Sequence, residues 1–211
     1  MSGGKPQANE SELMLGLLKA VHENEASTQR VMAQQVGMAL GLVNTYLKRC
    51  IKKGYIKVVS APRSRYSYYL TPKGFAEKSR LTAEYLSVSF NLVRHARSQY
   101  TELFAQCRAN GWTRIAFAGT GDLAEIAVMC LNGAGLELVG FVSRVPHAAN
   151  FHDWPVFADV SAAGKENVDA LLLADLNDPQ STFDWLAMQF PKTRILLPGL
   201  LNVSRDKVVK E

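Results

Sequence analysis

The 211-residue sequence predicts a two-part fold: three helices and a hairpin, then a long helix, then an α/β unit built on a parallel sheet. Apolar residues recur every three or four positions over the first fifty residues and alternate after them, which marks a switch from helical to strand period. A proline-free run from Lys73 to Asn110 keeps the helical period almost without a break. Beyond it, short apolar strands alternate with glycine turns and helical stretches, the pattern of a parallel sheet covered by helices.

Charge divides at the same place. Residues 1–110 hold 16 Lys/Arg against 7 Glu and no Asp, a net +9, whereas residues 111–211 hold 8 Lys/Arg and 12 Asp/Glu, a net −4. A basic half joined to an acidic half suggests that one binds a polyanion and the other does something else. With 47% hydrophobic and 20% charged residues the chain is ordinary for a globular protein, which excludes disorder and collagen-like repeats. No apolar run approaches the roughly 18 residues that span a bilayer. The polar first ten residues lack a secretory core, and Cys50, Cys107 and Cys130 stand too far apart for a disulfide framework, so a reducing cytoplasm and no membrane partner are expected.

In the basic half, Leu13, Met14, Leu17, Leu18 and Val21 form one helical face, with Ser11 as the expected N-cap. Ser27 or Thr28 caps a second helix through Val31, Met32 and Val36, and Gly37 ends it. A third, residues 39–53, repeats the period through Leu40, Val43, Leu47, Cys50 and Ile51, with Gly54 just past its end. Two β-rich runs follow, Tyr55 to Val59 and Tyr66 to Leu70, separated by the turn-forming Ser60-Ala61-Pro62-Arg63-Ser64-Arg65. Helix, helix, helix, hairpin is the winged helix-turn-helix order, here with a basic tip.

Residues 48–65 carry Lys48, Arg49, Lys52, Lys53, Lys57, Arg63 and Arg65 without one acidic residue, the electrostatic footprint of a double-stranded DNA binder. If the third helix enters the major groove, Gly41, Asn44, Thr45, Lys48, Arg49 and Lys52 are the candidate contacts, and Asn44 can pair bidentately with adenine. Arg63 and Arg65 at the wing tip would reach phosphates or the minor groove.

The same residues resemble a known family. Val36-Gly37-Met38, Lys48-Arg49, Lys53-Gly54-Tyr55-Ile56 and Tyr69-Leu70-Thr71-Pro72-Lys73-Gly74 look like the DNA-binding domain of MarR-type winged-helix transcriptional regulators, over roughly residues 11–75. That resemblance implies transcriptional control. One departure stands out: Ala39, Leu40, Gly41 and Leu42 occupy the start of the third helix, where the family usually has Ser or Thr and then polar residues.

From Pro72 onward, Leu81, Tyr85, Val88, Leu92, Ala96, Tyr100, Leu103, Phe104 and Cys107 make one stripe along a long helix or two nearly collinear ones. Such a stripe needs cover. A second copy in a homodimer supplies it, and so does packing on the second domain. His95 beside the stripe reads as structural.

The acidic half opens with strand 114–118, then Gly119-Thr120-Gly121-Asp122-Leu123-Ala124, a helix over residues 125–131 and a strand over 136–142. A G-x-G-x-x-A turn between a strand and a helix lets backbone approach a phosphate, as in a Rossmann-like βαβ unit. Further strands are expected at 154–157 (an edge), 168–174 and 194–197, with a helix over 179–190, giving about five parallel strands and a core that takes in Trp185 and Phe190. Ile115 to Ala118, Gly119-Thr120-Gly121, Val139-Gly140-Phe141-Val142 and Trp154-Pro155-Val156-Phe157 are similar to the nucleotide-binding Rossmann domains of bacterial polysaccharide-biosynthesis sugar acetyltransferases and epimerases, over roughly residues 112–200. That similarity implies control of polysaccharide genes.

Ser143 and Arg144 follow the second strand where an NAD site would offer a carboxylate, so NADP or a nucleotide sugar fits better. Gly119, Thr120, Gly121 and Asp122 are then expected near phosphates, and Asp175 or Asn177 at the mouth of the fourth strand. No Ser/His/Asp order, metal-ligand spacing or Tyr-x-x-x-Lys pair is present, and His147 and His152 beside Asp153 show no evident partner. A non-enzymatic regulator with a DNA-binding domain (1–71), a helical linker that dimerises (72–110) and a Rossmann-like domain sensing a nucleotide-type effector (111–211) is the expectation. The alternative is a small NADP- or nucleotide-sugar-dependent enzyme with an appended winged helix.

Overall fold

The structure, a computed structural model, describes residues 10–25, 28–61, 65–144, 148–164 and 168–205. They fall into two compact units, Met1–Phe90 and Asn91–Glu211. No helix among the described residues is long and apolar enough to cross a membrane.

The first unit contains α1 (Glu10–Glu23), α2 (Gln29–Val36), α3 (Leu40–Lys52), β1 (Ile56–Ala61), β2 (Arg65–Leu70) and the start of α4 (Pro72–Ala109). α1 is described from Glu10, so Ser11 sits inside its first turn and is not its cap. Thr28 caps α2, its side chain accepting from the Val31 amide at 3.3 Å, and Ser27, the other candidate, lies outside the described residues. Gly37 and Gly54 follow α2 and α3 with positive φ, the left-handed conformation that glycine adopts without steric cost. β1 and β2 pair antiparallel with Ile56 opposite Leu70 and Val58 opposite Tyr68. Leu17, Leu18, Val21, Met32, Val43, Leu47, Cys50, Ile56, Tyr68 and Leu81 form the core. Tyr68 links β2 to the turn after α1 and to α2, because its amide donates to the Glu25 carbonyl (2.9 Å) and its hydroxyl accepts from Gln29 Nε2 (3.1 Å).

The tight joint in this unit is the step from β2 into α4. Thr71 Oγ1 accepts from the Gly74 amide (3.0 Å), which caps α4, and donates to the Gly54 carbonyl (2.6 Å). The Thr71 amide donates to the Tyr55 carbonyl (3.0 Å). Gly74 has to be glycine: a Cβ there would lie 2.0 Å from the Tyr55 oxygen. The Leu70-Thr71-Pro72-Lys73-Gly74 motif is therefore a helix start locked against the turn after α3.

The second unit contains the remainder of α4, then β3 (Arg114–Ala118), α5 (Asp122–Leu131), β4 (Glu137–Val142), β5 (Asn150–Phe151), β6 (Trp154–Phe157), β7 (Ala170–Leu173), α6 (Pro179–Ala187) and β8 (Ile195–Leu196). The strands lie in the order β5-β6-β4-β3-β7-β8. Periodicity alone counts about five parallel strands; the sheet has six and is mixed, because two-residue β5 turns back to pair antiparallel with β6. β6, expected at an edge, is thereby covered. α5 begins at Asp122, three residues earlier than its apolar period, and α6 stops at Ala187. Trp185 is only half-buried, while Phe190 is buried.

An aromatic row crosses the core, from Tyr100 and Phe104 on α4 to Phe117 on β3, Phe141 on β4 and Phe151 on β5. Tyr100 is fully buried, and its hydroxyl donates to the Leu173 carbonyl at 2.7 Å. The stripe on α4 is accordingly divided. Leu81 belongs to the first core and Ala96, Tyr100, Leu103, Phe104 and Cys107 to the second, while Tyr85, Val88 and Leu92 between them are exposed. His95 is also exposed.

Candidate nucleic-acid interface and ligand cleft

The buried face of α3 is set by Val43, Leu47 and Cys50. At about 100° per residue, Gly41, Thr45, Lys48 and Lys52 fall on the opposite face in one row, with Asn44 and Arg49 on its flanks. All four are exposed, and Asn44 is half-buried. Thr45 Oγ1 donates to the Gly41 carbonyl (3.0 Å), which leaves the hydroxyl as an acceptor toward any ligand. Arg49 is exposed, and its guanidinium pairs with Glu10 on α1. Burial pushes the Cys50 thiol up to about 11, so it stays protonated inside the unit.

Ala39 caps α3 without a side-chain hydrogen bond, and Leu40 and Leu42 beside it are exposed. Past the helix, Lys53 and Lys73 sit with Nζ 5.7 and 5.5 Å from the centre of the Tyr55 ring. Lys73, from α4, was not among the sequence candidates; its only signal was its place beside Pro72 in the motif after the wing. Lys57 is exposed on β1, opposite Tyr69. Arg65 opens β2 opposite Ala61, and Arg63 lies outside the described residues.

In the second unit the C-terminal ends of β3, β4 and β7 meet at a cleft of ≈ 260 Å³ lined by Gly119, Thr120, Val142, Ser143, Arg144, Asp175, Asn177, Asp178, Ser181 and Thr182. A hollow of ≈ 170 Å³ shares Thr120, Asp175 and Asn177 and adds Gly121 and Asp122. The expected glycine turn, Ser143, Arg144 and Asp175 are thus brought together from three loops. Open α/β sheets bind ligands where the strand order changes direction, here between β3 and β7. Gly119 has φ +111°, and a Cβ on it would approach the Asp175 amide to 2.9 Å, so this glycine serves close packing. Around Gly121 a Cβ would meet nothing within 4 Å.

Asp175 accepts from Thr182 Oγ1 (2.7 Å) and the Asn177 amide (2.9 Å), which ties the loop after β7 to α6. Asp178 caps α6 through the Ser181 amide (3.3 Å). Sequence reading missed Asp178, Ser181 and Thr182, although Asp178-Pro179 is a helix-start signature. Arg144 is the only cation lining either hollow among the described residues, against the carboxylates of Asp122, Asp175 and Asp178. His152 does have a partner: its Nε2 lies 3.5 Å from Glu125 Oε1. His147 lies outside the described residues, and among those described no group of three His, Cys, Asp or Glu side chains could hold a metal ion.

Residues 10–57 match the family model of winged helix-turn-helix DNA-binding domains. The N-terminal unit is a winged helix-turn-helix. Among solved structures, the chain is similar to the DNA-binding protein Sso10a-2 from Sulfolobus solfataricus at 21% identity, covering 46% of this chain and 96% of that one with a TM-score of 0.38. It is similar to MepR of S. aureus in its complex with DNA at 24% identity, covering 41% of this chain and 63% of that one, TM-score 0.35. It is also similar to the zinc-dependent MarR family regulator AdcR at 15% identity, covering 46% of this chain and 66% of that one, TM-score 0.33. No curated protein matches the sequence.

Proposed function

We propose that this chain is a DNA-binding transcriptional regulator of the MarR type whose second unit, a Rossmann-like sheet, senses a nucleotide-type metabolite. The observation that carries the first part is the exposed row Gly41, Thr45, Lys48 and Lys52, which faces away from the core of a winged helix-turn-helix. Lys48 and Lys52 supply phosphate-neutralising charge, with Lys53, Lys57 and Lys73 adjoining in sequence or across the Tyr55 ring. Leu40 and Leu42 replace polar base readers with apolar surface, which suits the methyl groups of thymine in the major groove.

For the effector, the support is that the parallel strands β6-β4-β3-β7-β8 run in the 3-2-1-4-5 sense of a doubly wound sheet, with the glycine turn at the switch point. Three carboxylates against one guanidinium favour a nucleotide sugar, with two phosphates and sugar hydroxyls that can donate to carboxylates, over NADP, which adds a third phosphate. Exposed Tyr85, Val88 and Leu92, at steps of three and four on α4, supply an apolar band for a homodimer. α4 also enters both cores, and is the element through which an effector would bias DNA binding.

Gel-shift titration of the full chain against the promoter next to its own gene, at several salt concentrations, tests the proposal. A complex that weakens steeply with salt is expected, and UDP-sugar addition should change its affinity. The absence of any salt-sensitive complex overturns DNA binding, and UDP-sugars without effect on affinity or thermal midpoint overturn the sensor.

A further inference from the structure

A second cleft shares no residue with the one at the strand ends. It holds ≈ 500 Å³ and lies between α4 and α5 of the second unit. Phe104, Ile126 and Cys130 line it with Val93 and Met129, and Arg97 and Arg108 complete the lining. Arg97, Thr101, Phe104 and Arg108 follow one another at steps of four, three and four, so a single face of α4 makes one wall. No Asp or Glu lines the cleft.

Its chemistry is unlike that of a spare groove. Two guanidinium groups flank an apolar interior, and the volume matches that of small-molecule sites. Arg108 Nη1 donates to the Ala134 carbonyl (2.7 Å), which fixes that guanidinium at the wall and leaves most of its five donors for other acceptors. Arg97 is exposed and acts on Cys130, lowering the thiol pKa against a larger upward push from desolvation. Met129 is 79% exposed, and its flexible thioether can fold over an apolar body.

We propose that this cleft binds a small organic anion with an apolar body, its carboxylate held by Arg97 and its body packed against Val93, Phe104, Ile126 and Met129. A carboxylate at Arg97 gains a charge-assisted, geometrically matched pair that a neutral group cannot make. This inference concerns binding in the second unit alone and does not depend on DNA recognition.

The test uses Cys130 as a built-in reporter. Cys50 and Cys107 are fully buried, with thiols pushed up to about 11, so native-state labelling by neutral N-ethylmaleimide falls first on half-buried Cys130. Labelling of the full chain is followed by intact mass with benzoate, octanoate or the neutral isostere benzamide present. Benzoate or octanoate should slow labelling saturably and benzamide should not. Arg97→Gln should weaken protection about tenfold and Arg97→Lys less, with thermal midpoints unchanged because Arg97 is exposed. Failure of both carboxylates to protect at about 20 mM, equal protection by benzamide, or full protection in Arg97→Gln overturns the proposal. Labelling that slows with protein concentration alone also overturns it, since a second copy then covers the cleft.

Discussion

Replacing Gly74 by alanine should destabilise the N-terminal unit, although alanine is the better helix former by about 1 kcal/mol. The new Cβ would sit 2.0 Å from the Tyr55 carbonyl oxygen and 2.9 Å from its carbon, both backbone atoms that cannot rotate away. Relief requires the first turn of α4 to retreat by about 1 Å or more. That movement stretches the bonds that fasten it, from the Thr71 amide to Tyr55 (3.0 Å) and from Thr71 Oγ1 to Gly54 (2.6 Å). One or two weakened hydrogen bonds at about 1 kcal/mol each, with an overpacking cost of about 1 to 3 kcal/mol and the propensity gain set against them, leave a net loss of about 1 to 4 kcal/mol. With a urea m-value of about 1 kcal/mol/M, the midpoint falls by about 1 to 4 M.

The assay can separate the units, because Trp112, Trp154 and Trp185 all lie beyond residue 90. In urea titrations of the full chain, Gly74→Ala should move the far-UV circular dichroism transition of the first unit and spare the tryptophan fluorescence transition. Gly41→Ala is the counterpart: nothing lies within 4 Å of a Cβ there, so it should stabilise the same transition by about 0.5 to 1 kcal/mol. A Gly74→Ala protein that unfolds at the same or higher urea refutes the reasoning.

Other perturbations test other links. Lys48→Glu with Lys52→Glu should weaken DNA binding and lower the slope of log affinity against log salt by about 1 for each phosphate no longer neutralised; an unchanged slope removes these lysines from the interface. Tyr100→Phe deletes a buried hydroxyl that donates to the Leu173 carbonyl (2.7 Å) and should cost about 1 to 2 kcal/mol in the tryptophan-detected transition, whereas no change would mean that the bond contributes nothing net. Asp169 accepts from the Arg114 and Thr113 amides (2.9 Å each), which holds its carboxyl below the usual 3.8. A depressed folded pKa gives stability that is present above the unfolded value and is lost as pH falls through the folded one. Asp169→Asn should therefore be less stable than wild type at neutral pH, and the gap should close below about pH 4; a gap that widens in acid contradicts the assignment.

Local chemistry makes much of the chain legible from its residues alone. Thr28, through its side-chain oxygen, and Gly37, Gly54 and Pro72, through their backbone geometry, are helix punctuation marks, and each stands where the elements start or stop. Buried strands such as Ala170–Leu173 show as short continuous apolar runs. Two-residue β5 carries too little sequence for any period, and it exists because β6 offers it an edge. The occupation of Arg49 by Glu10 and of Asp175 by Thr182 was equally invisible, since each joins residues from different elements.

The order of the longer elements, the reversal of charge between the halves and the glycine turn after β3 were legible from the residues, because these depend on neighbours a few positions apart. How the α4 stripe is shared between two cores, and that Asp178, Ser181 and Thr182 join the glycine turn in one cleft, came only from the tertiary structure. Strand order brings distant loops to one edge of the sheet, and that order is chosen by burial of whole faces, which no local period records.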